Sequence, residues 1–365
     1  MIDRRLFSNF DWTLYGIVAL ISIIGIVNIY SASSYQMLGT PFFIKQIYWV
    51  LGGLVMSVLI CSIDYRILED VAYWVYGLLL ALLLLVLLIG RISMGAQRWL
   101  HLGFINIQPS EPMKIVIIAV FARYFSNRSF PDGIRLHELA LPVLLLGLPV
   151  VMIVKQPDLG TAILVLLIVC TMILYVGAKW TTLVSVFLGA FPVIYLYWHY
   201  FLHEYQKERI LNFIDPERDP LGSGYHIIQS KIAVGSGGIM GKGFLSGTQS
   251  HLRFLPEQHT DFAFSVFAEE WGFMGCLFII FLYTLLILWG LNIAGRCNDR
   301  FGALLAVGVT AMLFWHILIN MGMVIGLFPV VGVPLPFFSY GGTSMITSMI
   351  GVSILLNISM RRYMF

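Results

Sequence analysis

The chain reads as long apolar runs separated by short polar turns, with one wide interruption. An apolar run of about 16–25 residues can cross a bilayer as a helix. The pattern holds about ten such runs, with cores at 12–30, 47–63, 71–89, 115–125, 139–154, 159–176, 183–200, 262–291, 304–327 and 345–360. It predicts an all-α polytopic membrane protein, with residues 1–365 as one transmembrane domain. The fourth run is short and opens on Glu111 and Lys114. Arg4 and Arg5 precede the first run like the start of a secretory signal, but the run is too long and more spans follow, so an uncleaved first helix is expected.

The interruption is residues 204–260, a large loop between the seventh and eighth spans. Inside it "YHIIQSKIAV" (225–234) has helical spacing, with Tyr225, Ile228 and Ile232 on one face. That predicts a short helix lying on the bilayer surface. "GSGGIMGKGF" (235–244) follows. It fails the phosphate-loop pattern, because Ser236 stands where the first glycine belongs and Gly243 where Ser or Thr belongs. A plain glycine-rich connection is the expectation.

Composition sharpens the class. Hydrophobic residues make up 59% and charged residues 11%, where a soluble domain carries about 25% charged residues. A net charge of +3 is too small to suggest nucleic acid. The four cysteines form no CxxC pair, so neither a disulfide framework nor a thiolate metal site is expected. Lys and Arg of the short loops set orientation. One side holds Arg4, Arg5, Arg66, Arg123, Arg128, Arg135, Lys179, Arg296, Arg300, Arg361 and Arg362; the other holds Lys45, Arg91, Arg98 and Lys155. Both termini are therefore expected in the cytoplasm and the large loop outside.

The polar chemistry gathers near the outer ends of the spans. Asp261 sits where the loop meets the eighth run, as a helix cap or as a partly desolvated carboxylate with functional work. Glu269 and Glu270 stand inside the apolar run, with Glu269 about 12 Å deeper than Asp261 at 1.5 Å per residue. Only one of the two can share a face with Asp261; the other is expected to pair between helices. Glu111 and Lys114, three apart, are neighbours on a helix, as a self-neutralising pair or as the lining of a cleft. Asp158 begins the sixth span, with a cap as the default role. Arg98, Arg209, Lys231 and Lys242 are the outer cations open to a phosphate. Ser339, in "SYGG", belongs to a tightly packed helix start. Glu257, His259 and Asp261 lack zinc spacing; an oxygen-ligated Mg²⁺ held by one or two carboxylates and substrate phosphates stays open.

These residues fit an enzyme acting on a lipid-borne substrate at the outer face. A transporter would place its ionisable groups and broken helices nearer the midplane, often in repeated halves. A scaffold leaves the carboxylates unexplained.

The motifs "GAQRWL", "QPSEPMK", "KQPDLGTA", "LPEQHTDFAFSVFAEEWG" and "GVPLPFFSYGG" occur in the order carried by the SEDS family (shape, elongation, division and sporulation), which the chain resembles from first span to last. Its loop text is more similar to the RodA branch, of rod-shape elongation, than to the FtsW branch, of cell division. The resemblance implies a peptidoglycan glycosyltransferase of the bacterial cytoplasmic membrane that polymerises lipid II outside it. It implies as partners a class B penicillin-binding protein (the transpeptidase) and elongation-complex proteins. The family's catalytic aspartate corresponds to Asp261, and its supporting polar positions to Glu111, Lys114 and Asp158. Pro112 and Met113 replace the family's more usual aliphatic–Ala pair. Arg98, Lys231, Glu269 and Ser339 complete the expected substrate-binding or supporting set, with Asp261 as the ligand of any divalent cation. Flipping of lipid II across the membrane is the alternative activity for such a chain.

Overall fold

In a computed structural model of the chain, residues 10–33, 41–93, 96–102, 105–200, 202, 204–215, 218–219, 223–251 and 258–362 are described. Arg4, Arg5 and Glu257 lie outside them. Three helices, α1 (Trp12–Ser33), α2 (Phe42–Ser62) and α3 (Ile67–Ile89), lead into three short strands. The strands β1 (Arg91–Ser93), β2 (Ala96–Leu102) and β3 (Ile105–Ile107) form an antiparallel sheet in that order, with Leu100 opposite Ile107. Next come α4 (Ser110–Ser126), α5 (Ala140–Lys155), α6 (Leu159–Val176) and α7 (Trp180–Tyr200). The large loop carries α8 (Glu204–Ile214), α9 (Ser223–Ser236) and α10 (Thr248–His251), before α11 (Ala263–Gly295), α12 (Arg300–Val324) and α13 (Gly342–Arg361).

Among the described residues nine helices are long and apolar enough to cross a membrane, and the chain is a multi-pass membrane protein. The tenth is α4, at 17 residues about 25 Å long. Its shortness has a packing reason: α3, α6 and α12 enclose it, and Met113, Ile118, Phe121 and Phe125 are fully buried. A helix surrounded by protein need not match the lipid. The most enclosed helices are α12 and α13. By contrast α7 presents Phe187, Leu188 and Phe191 outward along its length, as a lipid-facing helix should.

Two places depart from regular helix, and both shape the site. The first is inside α11, whose 33 residues span about 50 Å against a hydrocarbon core of about 30 Å. Gly272 breaks it, with φ 64° and ψ −163°. The freed backbone groups find partners in the glycine-rich turn. Lys242 N donates to Glu269 O and Gly243 N to Glu270 O, each at 3.0 Å; Phe273 N donates to Gly238 O at 2.9 Å and Met274 N to Ile239 O at 3.1 Å. A Cβ on Gly272 would meet the backbone of Gly241, Ile239 and Met240. Residues 273–295 alone reach about 34 Å, enough to span. Glu269 and Glu270 therefore lie on the loop side of the break, in a segment wrapped by the glycine-rich turn, and not on one regular helix with residues 273–295.

The second is residues 329–341, which run without helix between α12 and α13. Irregular backbone is tolerated at membrane depth only where protein or a polar cavity satisfies it. Here side chains do so: Tyr283 Oη donates to Pro336 O at 2.7 Å, Gln46 Nε2 to Ser339 O at 3.1 Å and Asn320 Nδ2 to Val333 O at 2.7 Å. Phe337 takes φ 65°. Gly25 of α1 lets this segment press close, since a Cβ there would lie 2.7 Å from Phe338 Cα.

The loop helix α9 forms where its spacing predicts, but the face it buries against protein is not the Tyr225–Ile228–Ile232 face. It packs on α11 and α12 through Ile227, Ser230 and Ala233, which are buried, while Ile232 is exposed. Ser230 Oγ lies 2.8 Å from Ser265 Oγ and donates to Val324 O at 2.7 Å. Small residues at that face allow close approach, and the bulkier Tyr225–Ile228–Ile232 stripe misled the reading.

Candidate functional site

A cavity of about 800 Å³ opens at the loop end of the bundle, within the size range of ligand sites. Its walls come from α2, β2, α4, α6, α8, α12, the irregular 329–341 segment and the start of α13. Asp261, Glu111, Asp158 and Arg98 all line it, so residues 163 positions apart in sequence meet at one opening.

Asp261 precedes α11, whose cap position falls to Phe262. Its carboxylate lies against Gly332: a Cβ there would come within 3.2 Å of Asp261 Oδ2. Its carbonyl accepts from Asn320 Nδ2 at 3.0 Å. On the mouth side His259 stacks on Phe42, with ring centroids 4.0 Å apart, and Tyr340 N donates to His259 O at 2.9 Å. Burial pushes the Tyr340 phenol up, and a hydrogen bond with Trp49 partly opposes this.

Glu111 and Lys114 form a buried ion pair, 2.8 Å between Oε1 and Nζ. Only Glu111 lines the cavity; Lys114 is 1% exposed, behind the wall. Its ammonium also meets His316 Nε2 at 2.9 Å, which makes it a holder of Glu111 more than a free cation for substrate. Asp158 is the N-cap of α6, accepting from Thr161 N at 3.3 Å and Thr161 Oγ1 at 3.0 Å. It also accepts from Gln108 Nε2 at 3.0 Å. Arg98 lies 3.7 Å from Asp158 Oδ1 and donates to Gln156 O and Pro157 O, fixing β2 to the start of α6.

Three other residues of the sequence-based set sit elsewhere. Glu269 does not line the cavity; its carboxylate accepts from Lys242 Nζ at 2.6 Å, Thr248 N at 2.8 Å, Thr248 Oγ1 at 2.9 Å and Gln249 N at 3.2 Å. Glu270 turns instead to Ser31 Oγ of α1. The structure thus gives neither glutamate a face on the cavity below Asp261. Lys231 is exposed on α9, its side chain lying over Gly326 at the end of α12. Ser339 is buried in the wall, its Oγ accepting from Leu335 N at 3.1 Å.

A family model described as a cell cycle protein, covering FtsW, RodA and SpoVE, matches residues 11–364. The chain belongs to the SEDS family. It is 45% identical to the peptidoglycan glycosyltransferase MrdB of Escherichia coli (strain K12), over 88% of this chain and 86% of that protein. It is 33% identical to the peptidoglycan glycosyltransferase RodA of Treponema pallidum (strain Nichols), over 97% and 98% of the two chains. Among solved structures, one described as the structural coordination of polymerization and crosslinking by a peptidoglycan synthase complex matches with TM-score 0.84 and 34% identity, covering 98% of this chain and 99% of that one. The crystal structure of Thermus thermophilus rod shape determining protein RodA matches with TM-score 0.72 and 30% identity, covering 97% and 98%. The RodA-like fold expected from the motifs is therefore the fold of this chain.

Sequence reasoning passed over several lining residues. Lys45, Trp49 and His316 reach the cavity, and Asn320 holds its wall. His316 and Asn320 carried a readable signal, since polar groups inside an apolar span are costly and default to pairing or function. Lys45 gave none, being one cation in a short loop.

Proposed function

We propose that this cavity is where two lipid-linked disaccharides meet and are joined, with Asp261 as general base. The chain is a peptidoglycan glycosyltransferase of the SEDS type. Its substrate in this reading is lipid II, and the loop end of the bundle faces outward, as the distribution of Lys and Arg between short loops favours. The observation that carries the reading is Asp261 lining one cavity together with Glu111, Asp158 and the cations Lys45, Arg98 and Arg209 in an otherwise apolar bundle.

Glycosyl transfer needs a nucleophile and a stabilised leaving group. Asp261 takes the proton from the 4-hydroxyl of the acceptor's N-acetylglucosamine as that oxygen bonds to the donor's anomeric carbon. The bond from that carbon to the lipid pyrophosphate breaks in the same displacement. An α-linked donor and a β-linked product make it a single inversion, so no covalent sugar–enzyme intermediate forms and no second carboxylate is needed at close range. The pyrophosphate leaves with its own charge and calls for cations, not an acid. Lys45, Arg98 and Arg209 line the cavity to supply them; Arg98 and Arg209 each already donate to backbone carbonyls.

A resident metal fits poorly. Among the described residues no three His, Cys, Asp or Glu side chains converge, Asp158 is engaged by Thr161 and Gln108, and Glu111 by Lys114. A divalent cation such as Mg²⁺ would enter with the substrate's phosphates and add Asp261 to its ligands, and no step above depends on it. A class B penicillin-binding protein is the partner in this reading, supported by the similarity to a peptidoglycan synthase complex.

The test is purified protein, with and without a class B penicillin-binding protein, given lipid II and assayed for glycan chains. Chains from the native protein and none from a folded Asp261→Asn variant are expected. An active Asn variant would remove Asp261 from the base role. Movement of lipid II across a vesicle without chains would favour a flippase.

A further inference from the structure

The polar face of α12 joins the two halves of the site. Asn320 is fully buried, and its amide donates to two carbonyls: Asp261 O at 3.0 Å and Val333 O at 2.7 Å. Both neighbours are acceptors, so the NH₂ group must face them. One turn earlier, His316 lines the cavity with one nitrogen 2.9 Å from Lys114 Nζ and the other 3.4 Å from Pro334 O. An ammonium can only donate, so Nε2 accepts and the ring proton sits on Nδ1, toward the carbonyl. Lys114 in turn holds Glu111 Oε1 at 2.8 Å. The other carboxylate oxygen, Oε2, is buried without a partner in a residue that lines the cavity.

Two sets of contacts thus start from α12: Asn320 holds Asp261 O and Val333 O, and His316 meets Pro334 O and, through Lys114, Glu111. Residues at i and i+4 share a helix face, so α12 sets the spacing of what each one holds. Val333 and Pro334, adjacent in the cavity wall, are held by the same two side chains. Resting on the reading of Asp261 as base, we propose that His316 and Asn320 are positioning residues that hold Asp261 and Glu111 in register across the cavity, with Glu111 Oε2 left to accept from a polar hydrogen of the lipid-linked sugar. If they only satisfied a buried polar core, replacing them with apolar residues of similar shape would change stability alone. A positioning role predicts a loss in turnover at nearly constant substrate affinity, because misplacement of about 1 Å costs on the order of 100-fold in rate.

The experiment is steady-state glycan synthesis from lipid II by the purified full chain, with thermal melts of every variant. For His316→Phe and Asn320→Leu, kcat is expected to fall about 10- to 100-fold with KM changed by less than about threefold. His316→Gln, which returns an acceptor toward Lys114, should restore most of the lost turnover. A Lys114→Met/His316→Phe double variant should be no slower than Lys114→Met, because His316 acts through Lys114. Native turnover in both His316→Phe and Asn320→Leu, or multiplicative loss in the double variant, overturns the proposal. If His316→Phe does not fold, Asn320→Leu decides: folded with slowed turnover at nearly constant KM it supports the role, and folded with native turnover it overturns it. Asp261→Asn runs alongside. Should that variant keep its activity, the base assignment itself fails; should it be dead while the α12 variants match the native protein, only the positioning role fails.

Discussion

Replacing Glu269 with Gln tests whether this glutamate clamps the large loop or serves the cavity. Gln keeps the shape, removes the charge and turns an NH₂ group toward donors. Four groups then lose their shared anion: Lys242 Nζ, Thr248 N, Thr248 Oγ1 and Gln249 N. A hydrogen bond to a charged group contributes roughly 1.5–3 kcal/mol, and breaking a buried pair costs roughly 3–5 kcal/mol. These terms overlap, and Lys242 at 27% exposure regains water. A loss of about 3 kcal/mol for the whole clamp is the reasonable figure. At tenfold per 1.4 kcal/mol that is on the order of 100-fold more opening of the 242–251 segment. Hydrogen exchange reads it directly, because the amides of Thr248 and Gln249 are themselves bonded to the carboxylate. A peptide covering 244–251 should exchange about 100-fold faster in the variant, while peptides from α13 stay unchanged. Exchange within threefold of the native rate would refute the clamp and return Glu269 to consideration as a site residue.

Three further outcomes are expected. Lys114→Met strands a buried carboxylate and should cost about 3–5 kcal/mol with polymerisation slowed but measurable; adding Glu111→Gln should recover much of the melting temperature but not the turnover, and a single variant with native stability and turnover would contradict the pairing. Gly272→Ala must place a side chain at φ 64° against the backbone of the 239–241 turn, so a melting temperature lowered by the equivalent of about 3 kcal/mol or more is expected; a native-like melt would mean that α11 is not broken there. Glycan synthesis in excess chelator should fall if a cation accompanies the pyrophosphate, and unchanged turnover would exclude that part of the proposal.

The spans were legible because length and apolarity decide them, and nearly all helix ends fall within a few residues of the runs. Asp158 was legible as a cap, since a carboxylate three residues before Thr161 is placed to accept from its backbone. What stayed hidden depended on backbone conformation and distant contacts. Gly272 looks like any small residue within an apolar run, yet its positive φ ends the regular helix just after Glu269 and Glu270 and brings the glycine-rich turn against them. The "GSGGIMGKGF" stretch read as a plain connection, although its backbone groups complete the broken helix. The sheet at 91–107 was missed because two of its strands have three residues and the seven of β2, "AQRWLHL", do not strictly alternate apolar and polar. Arg98, Glu111, Asp158 and Asp261 were each legible as site residues near the outer ends of the spans, but the shape of the cavity was not, because only the folded chain brings these separate elements to one opening.

The four backbone bonds between the 238–243 turn and α11 have a mechanical consequence. They splice the turn into the helix, so the outer stub of α11 and the turn form a single lever whose tip carries Asp261, the proposed base. Force applied to that turn from outside is delivered to Asp261, about nine residues away, without passing through the membrane-embedded part of the bundle.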